Sequence, residues 1–223
     1  MSKITKETLN FLKDLAKNNN REWFAENRVT FKEHETVIKE FYQSVLDNLN
    51  KHDQIEKLKL FRIYRDVRFS KDKTPYKAHF AGSFTRAGAA LRGGYYLRIK
   101  PGESFIAAGF FGPEKEDLLR IRKEWEQDAS EFREILNTTA FKNIWGNLEG
   151  EELKTAPKGF DKEHPAIEFI RKKQYLFTRS FTDKEVLSSS FTKTIDESYL
   201  AIRPFFNLMS DILTTNLNGE SLL

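Results

Sequence analysis

The sequence predicts an α+β protein in which an antiparallel sheet of about five strands packs against a long N-terminal helix and C-terminal helices. Three observations carry that expectation. Apolar residues recur at helical spacing over the first fifty positions, the period falls to two between about Lys57 and Phe111, and helical spacing returns beyond Pro113. With 223 residues and no linker, repeat or low-complexity tract, the expectation is one domain, 1–223.

The elements follow in order. Thr5 reads as an N-cap, with Ile4 and Leu9 as its staple, and Leu9, Leu12 and Leu15 repeat behind it. Asn18-Asn19-Asn20 breaks that helix. Asn19 with Glu22 reads as a capping-box variant that opens a helix of about eight turns, its stripe formed by Phe24, Phe31, Ile38, Phe41, Val45 and Leu49. Alternation then predicts strands over Phe61–Phe69, Tyr76–Thr85 and Tyr95–Ile99, and a nearly all-apolar run after Pro101-Gly102 predicts one over Ser104–Phe111, all joined by short turns into a meander. Pro113 suits the first position of the next helix, and Asp128 with Glu131 caps a short one. Residues 146–165 read as an irregular loop, Ala166–Lys172 as a helix and Tyr175–Ser180 as the fifth strand. Thr182 with Glu185, flanked by Phe181 and Val186, is a complete capping box and staple. It opens a terminal helix interrupted near Pro204, with Gly219 as its C′ residue.

Composition narrows the function classes. Hydrophobic residues make up 39%, charged residues 31% and Phe alone numbers 20, the profile of a folded chain with a charged surface. The absence of cysteine excludes a disulfide framework, a Cys nucleophile, a thiolate zinc site and an iron–sulfur cluster. No window approaches the ~20 apolar residues of a membrane span, and the first residues lack the apolar core of a signal peptide, so the expectation is a cytoplasmic protein without a membrane partner.

The net charge of +4 is unevenly spread. Residues 57–101 hold twelve Lys or Arg against two acids, Asp66 and Asp72, a net +10, which leaves −6 for the other 178 residues. Alternation puts Arg62, Arg68, Lys77, His79, Arg98 and Lys100 on the non-core face of the sheet, with Tyr64 and Tyr96 among them. Such a face suits an anion site, with guanidinium forks and ammonium groups on phosphate or carboxylate. The plainer alternative is a solvated face paired with acidic helices.

The string FRIYRDVRFSKDKTPYKAHF (61–80) resembles the signature of a bacterial and fungal domain-of-unknown-function family, number 2461. NNNREWFAENR (18–28), GGYYLRIKPGESFIAAGFFGPE (93–114) and LKTAPKGFDKEHPAIEFIRKK (153–173) extend the resemblance to about Thr5–Asp211. It implies no established activity and leaves any cofactor unknown. Its motif positions here are Arg62, Arg65, Asp66, Arg68, Phe69, Ser70, Lys71, Asp72, Lys73, Pro75, Tyr76 and Lys77.

Arg65-Asp66-Val67-Arg68 reads as an ion-paired strut in which Asp66 orients the arginines, since flanking cations make a carboxylate a poor base. Ser70 with Lys73 matches S-x-x-K, but its S-D-N and K-T-G companions are absent. His79, surrounded by cations, is expected to be neutral. His34, His52 and His164 form no metal-ligand spacing, and no phosphate loop, zincin or nucleophile-elbow motif occurs. The leading expectation is an anion-binding protein whose small-molecule ligand meets Arg62, Arg65, Arg68, Lys73, Tyr76, Lys77 and His79. The alternatives are nucleic-acid binding, with Tyr64 and Tyr96 stacking bases, and an enzyme that uses Asp66 or His79 on an anionic substrate. The sequence names neither a reaction nor an oligomeric state.

Overall fold

A computed structural model describes residues 3–223 and bears out the α+β class. Helices α1 (Lys6–Lys17), α2 (Arg21–Glu26) and α3 (Arg28–Leu49) come first. Strands β1 (Ile55–Leu60), β2 (Phe80–Arg86), β3 (Gly94–Ile99) and β4 (Ser104–Phe110) follow. Then come α4 (Lys115–Gln127), α5 (Ser130–Asn137), α6 (Thr139–Trp145), α7 (Ile167–Ile170) and β5 (Tyr175–Phe181). Three helices close the chain: α8 (Asp183–Val186), α9 (Phe191–Ala201) and α10 (Arg203–Thr214). The strands form one antiparallel sheet in the order β1-β2-β3-β4-β5.

Side-chain caps open α1, α2, α6 and α8. Thr5 accepts from the Thr8 N–H at 3.2 Å, and Thr182 and Glu185 cap each other's backbone as the box requires. The second helix departs from expectation. Its cap is Asn20, which accepts from Trp23 N–H at 2.9 Å, and Asn27 divides the expected eight turns into α2 and α3. Pro113 precedes the cap of α4, Glu114, instead of opening the helix, and Thr138 caps an α6 that the sequence reading missed. Ile202 separates α9 from α10, and Pro204 sits in the first turn of α10. Gly219 lies in a turn beyond α10, its N–H donating to Asn216 O at 3.0 Å.

The largest correction concerns the first strand. β1 ends at Leu60, and residues 61–79 form a hairpin-like excursion instead of strand. Phe61 N–H donates to Ala81 O, Lys77 N–H to Ile63 O and Arg65 N–H to Pro75 O, at 2.8–2.9 Å, and Tyr64 bridges to Tyr76. Its tip follows turn chemistry. Asp72 Oδ1 accepts the Thr74 N–H at 2.9 Å, Asp66 Oδ1 accepts the Arg68 N–H at 3.2 Å, and Pro75 has no N–H to give a ladder.

Two compact units make up the chain. The first runs to Phe84 and adds Tyr96–Ile106 and Ser180–Asp196. The second comprises Thr85–Tyr95, Ala107–Arg179 and Glu197–Leu223. In the first, Leu12, Leu15, Ile38, Phe41 and Leu49 are buried with Phe84, Leu97 and Ile99 of the sheet. Tyr42 of α3, fully buried, lies nearly parallel to Phe84 at 6.0 Å and donates its hydroxyl proton to Leu97 O at 2.9 Å. In the second unit, Trp125 stacks on Phe132 at 4.5 Å, and Phe205 packs against Phe110, Phe132 and Phe177. Buried Arg86 donates to Arg92 O at 2.7 Å and lies 4.8 Å from the Phe206 ring centre.

α3 approaches the sheet closely because β2 offers a glycine. A Cβ at Gly82 would lie 2.8 Å from Tyr42 Cε1 and 3.1 Å from Lys59 O. Gly82→Ala is therefore expected to destabilise the protein by about 1–3 kcal/mol, as overpacked cores do, measured by urea unfolding. An unchanged midpoint would contradict this packing.

Candidate functional site

Most of the motif in 61–79 serves the loop itself. Asp66 accepts Arg68 Nε and Nη2 at 3.0 and 2.7 Å, a bidentate pair. Arg65 is hydrogen-bonded to Asp72, so Asp66 orients one arginine and not two. Lys73 Nζ donates to Val67 O at 2.9 Å across the tip. Tyr76 is buried, stacks on Phe24 at 4.0 Å and is clasped through its backbone by Asn19, which donates to its carbonyl at 2.9 Å and accepts from its N–H at 3.0 Å. Tyr64, half exposed, joins that Phe24–Tyr76 cluster instead of the sheet face. Phe69, expected in the core by alternation, is 97% exposed at the tip. Arg62 is exposed and lines a groove of about 220 Å³ with Glu35, Lys39, Phe31 and Ile38 of α3.

A second set of residues does gather on the outer face of the sheet in the first unit. Gly82 and Phe84 of β2 and Leu97 and Ile99 of β3 face inward, so alternation turns Lys77, His79, Ala81 and Ser83 outward with Tyr96, Arg98 and Lys100. The rings of Phe61, Tyr96 and Phe105 form a row with centroid steps of 6.3 and 5.4 Å. Small residues on β2 let the two larger rings on either side of it meet. Lys59 and Lys77 Nζ lie 5.6 and 5.9 Å from the Phe61 ring centre, and the Arg98 guanidinium lies 4.3 Å from that of Phe105. Arg98 is further fixed by donating Nε and Nη2 to Glu103 O at 3.3 and 3.1 Å.

Two residues named from the sequence, Lys77 and His79, thus stand here with Arg98 and Lys100. Arg62, Arg65, Arg68, Lys73, Tyr76 and Asp66 stand elsewhere on the loop or groove. Sequence reasoning missed Lys59, Phe61 and Phe105 as members of the face. Alternation assigns an apolar residue to the core, and only the register of Lys57-x-Lys59-x-Phe61 could have signalled an outward ring.

The electrostatics of this face are one-sided. Burial, then Arg98, Lys77, Lys100 and Arg65, holds the His79 pKa down at about 4, so the imidazole is neutral at pH 7. Glu103 is the acid here. Its Oε1 accepts from Lys100 Nζ at 2.5 Å and its Oε2 lies 3.6 Å from Arg98, and the lysine bond chiefly lowers its pKa. Asp66 and Asp72 are also held low, Asp66 by Arg68 and Asp72, to about 2, by Thr74 ahead of Arg65. Neither is a base near neutrality. Among the described residues no group of three or more His, Asp or Glu is placed to hold a metal ion, and no helix is long and apolar enough to cross a membrane.

The family described as Conserved hypothetical protein (DUF2461) matches residues 7–207. No curated protein and no solved structure matches the chain.

Two outcomes test this geometry. Asn19→Ala removes both bonds to Tyr76 and is expected to cost about 1–3 kcal/mol in chemical denaturation; no loss would contradict the clasp. For His79, the unfolded chain binds a proton near the ordinary value of 6.5 and the folded chain only near 4. Stability therefore falls as pH drops from 6.5 to 4, by at most about 1.4 kcal/mol per pH unit. His79→Gln should flatten that part of the stability–pH curve, and an unaltered curve would show that His79 titrates normally.

Proposed function

The chain belongs to the DUF2461 family, and we propose that it binds an anionic ligand on the outer face of its sheet. The observation that supports this reading is the surplus of positive charge around neutral His79. Lys77, Arg98 and Lys100 surround it, and one carboxylate, Glu103, answers them. Lys59 and Lys77 have no carboxylate within ion-pairing distance among the described residues, and each holds its ammonium close to the Phe61 ring centre, at 5.6 and 5.9 Å. An ordinary solvated face intersperses both signs; here the cations repel one another and raise the local potential for an anion.

The chemistry of binding follows from the donors. The Arg98 guanidinium is already held through Nε and Nη2 by the Glu103 carbonyl, so little rotamer freedom is lost when an oxyanion meets its remaining donors. Lys77 and Lys100 add point charges. His79 contributes a neutral ring that takes up a proton when a negative charge replaces the repulsion of its neighbours. The ligand is phosphate-bearing or carries several carboxylates.

Isothermal titration with inorganic tripolyphosphate tests the reading. Charge-assisted hydrogen bonds are worth roughly 1.5–3 kcal/mol each, so the double variant Lys77→Ala/Arg98→Ala is expected to weaken binding by at least ~100-fold. Arg68→Ala is expected to bind as the parent does, because its guanidinium is already engaged by Asp66. Equal affinity of parent and double variant, or no binding by the parent, would overturn the reading.

A further inference from the structure

The outer face carries more than cations. Three aromatic rings, Phe61, Tyr96 and Phe105, cross it in a row, and each is only half-buried although nothing polar about a simple anion calls for a ring. Cations flank the row at both ends, Lys59 and Lys77 beside Phe61 and Arg98 beside Phe105, with Lys100 just past the end of β3. Rings and charges are thus laid out along the sheet instead of being gathered round one point. A compact anion such as orthophosphate uses one end of such a surface and leaves the rings idle.

We propose that the ligand of this face is a single-stranded nucleic acid, its bases laid on Phe61, Tyr96 and Phe105 and its phosphates drawn to Lys59, Lys77, Arg98 and Lys100. The inference rests on the anion-binding reading and specifies its ligand. Base–aromatic stacking tolerates any sequence because every base has a π-face, and it needs bases that are not hidden in a duplex. Ring-to-ring steps of 6.3 and 5.4 Å exceed the 3.4 Å rise of a stacked strand, so the row fits bases drawn apart along an extended backbone. The net −6 outside residues 57–101 limits the footprint, since a longer strand would run over acidic surface. About three or four phosphates are neutralised, one for each available cation.

Fluorescence anisotropy with a labelled oligothymidylate of about ten nucleotides, against an abasic strand of equal length, tests this directly. The thymidylate is expected to bind at least ~10-fold more tightly than the abasic strand, and more tightly than a duplex of the same length. Its affinity should fall with salt at a log–log slope of about −2 to −3. Phe105→Leu, which keeps an apolar side chain at that position, should weaken thymidylate binding by at least ~5-fold, toward the abasic level, while tripolyphosphate affinity is retained. Tyr96→Leu repeats the test at the centre of the row, and a thermal melt checks that each variant is folded. Equal binding of thymidylate and abasic strands, or no binding of either while tripolyphosphate binds, overturns the nucleic-acid inference and leaves the anion reading intact. Failure of tripolyphosphate as well overturns both.

Discussion

Tyr42 reaching past Gly82 to the Leu97 carbonyl is the contact that sets which side of the first unit's sheet faces outward. Side chains on a strand alternate with a period of two, so a slip of one residue would carry every outward residue into the core. The buried phenol, its single hydrogen bond and the missing Cβ on β2 together admit one register. With Gly82, Phe84, Leu97 and Ile99 committed inward, Lys77, His79, Tyr96, Arg98 and Lys100 have no other place than the outer face. Polar groups there keep part of their hydration, whereas fully buried and unpaired in the core each would cost several kcal/mol.

The same basic segment divides into two roles that its composition does not distinguish. In the excursion between β1 and β2, charge is spent internally. Arg68 on Asp66, Arg65 on Asp72 and Lys73 on a backbone carbonyl brace a loop that has no apolar core of its own. Such exposed pairs contribute little to global stability, with a median near 0–1 kcal/mol, but several together restrict the loop's conformations. On the sheet, by contrast, cations are held by ring contacts and a backbone carbonyl and outnumber their acid. Motif density is therefore a poor guide to where charge remains for a ligand. The accounting of partners is a better one.

Helix caps and strand alternation were legible wherever the chemistry is local. Thr5, Thr182 with Glu185, the β3 alternation and the apolar run of β4 all depend on neighbours within a few residues. Residues 61–69 mislead because Phe61, Ile63, Val67 and Phe69 alternate as a strand does, while Asp66, Asp72 and Pro75 supply turn chemistry that overrides the pattern. Phe69 on the surface and Ile63 in the core, on one expected strand face, show the conflict directly. Asn19 reads as a helix cap in the sequence because its partner, the Tyr76 backbone, lies 57 residues away. The aromatic row was hidden for a related reason. Phe61 and Phe105 look like core residues until the strand register is known.

His79 is the internal reporter of the face: burial first, and then the repulsion of Arg98, Lys77 and Lys100, holds its pKa down, and an anion would relieve the second. An NMR titration of its ring with and without saturating tripolyphosphate measures that relief. The free protein is expected to titrate with a midpoint near 4, and the bound protein with a midpoint moved up toward the ordinary value near 6.5. A midpoint near 6.5 in the free protein, or one that tripolyphosphate leaves unmoved, would contradict an anion-binding face built around His79.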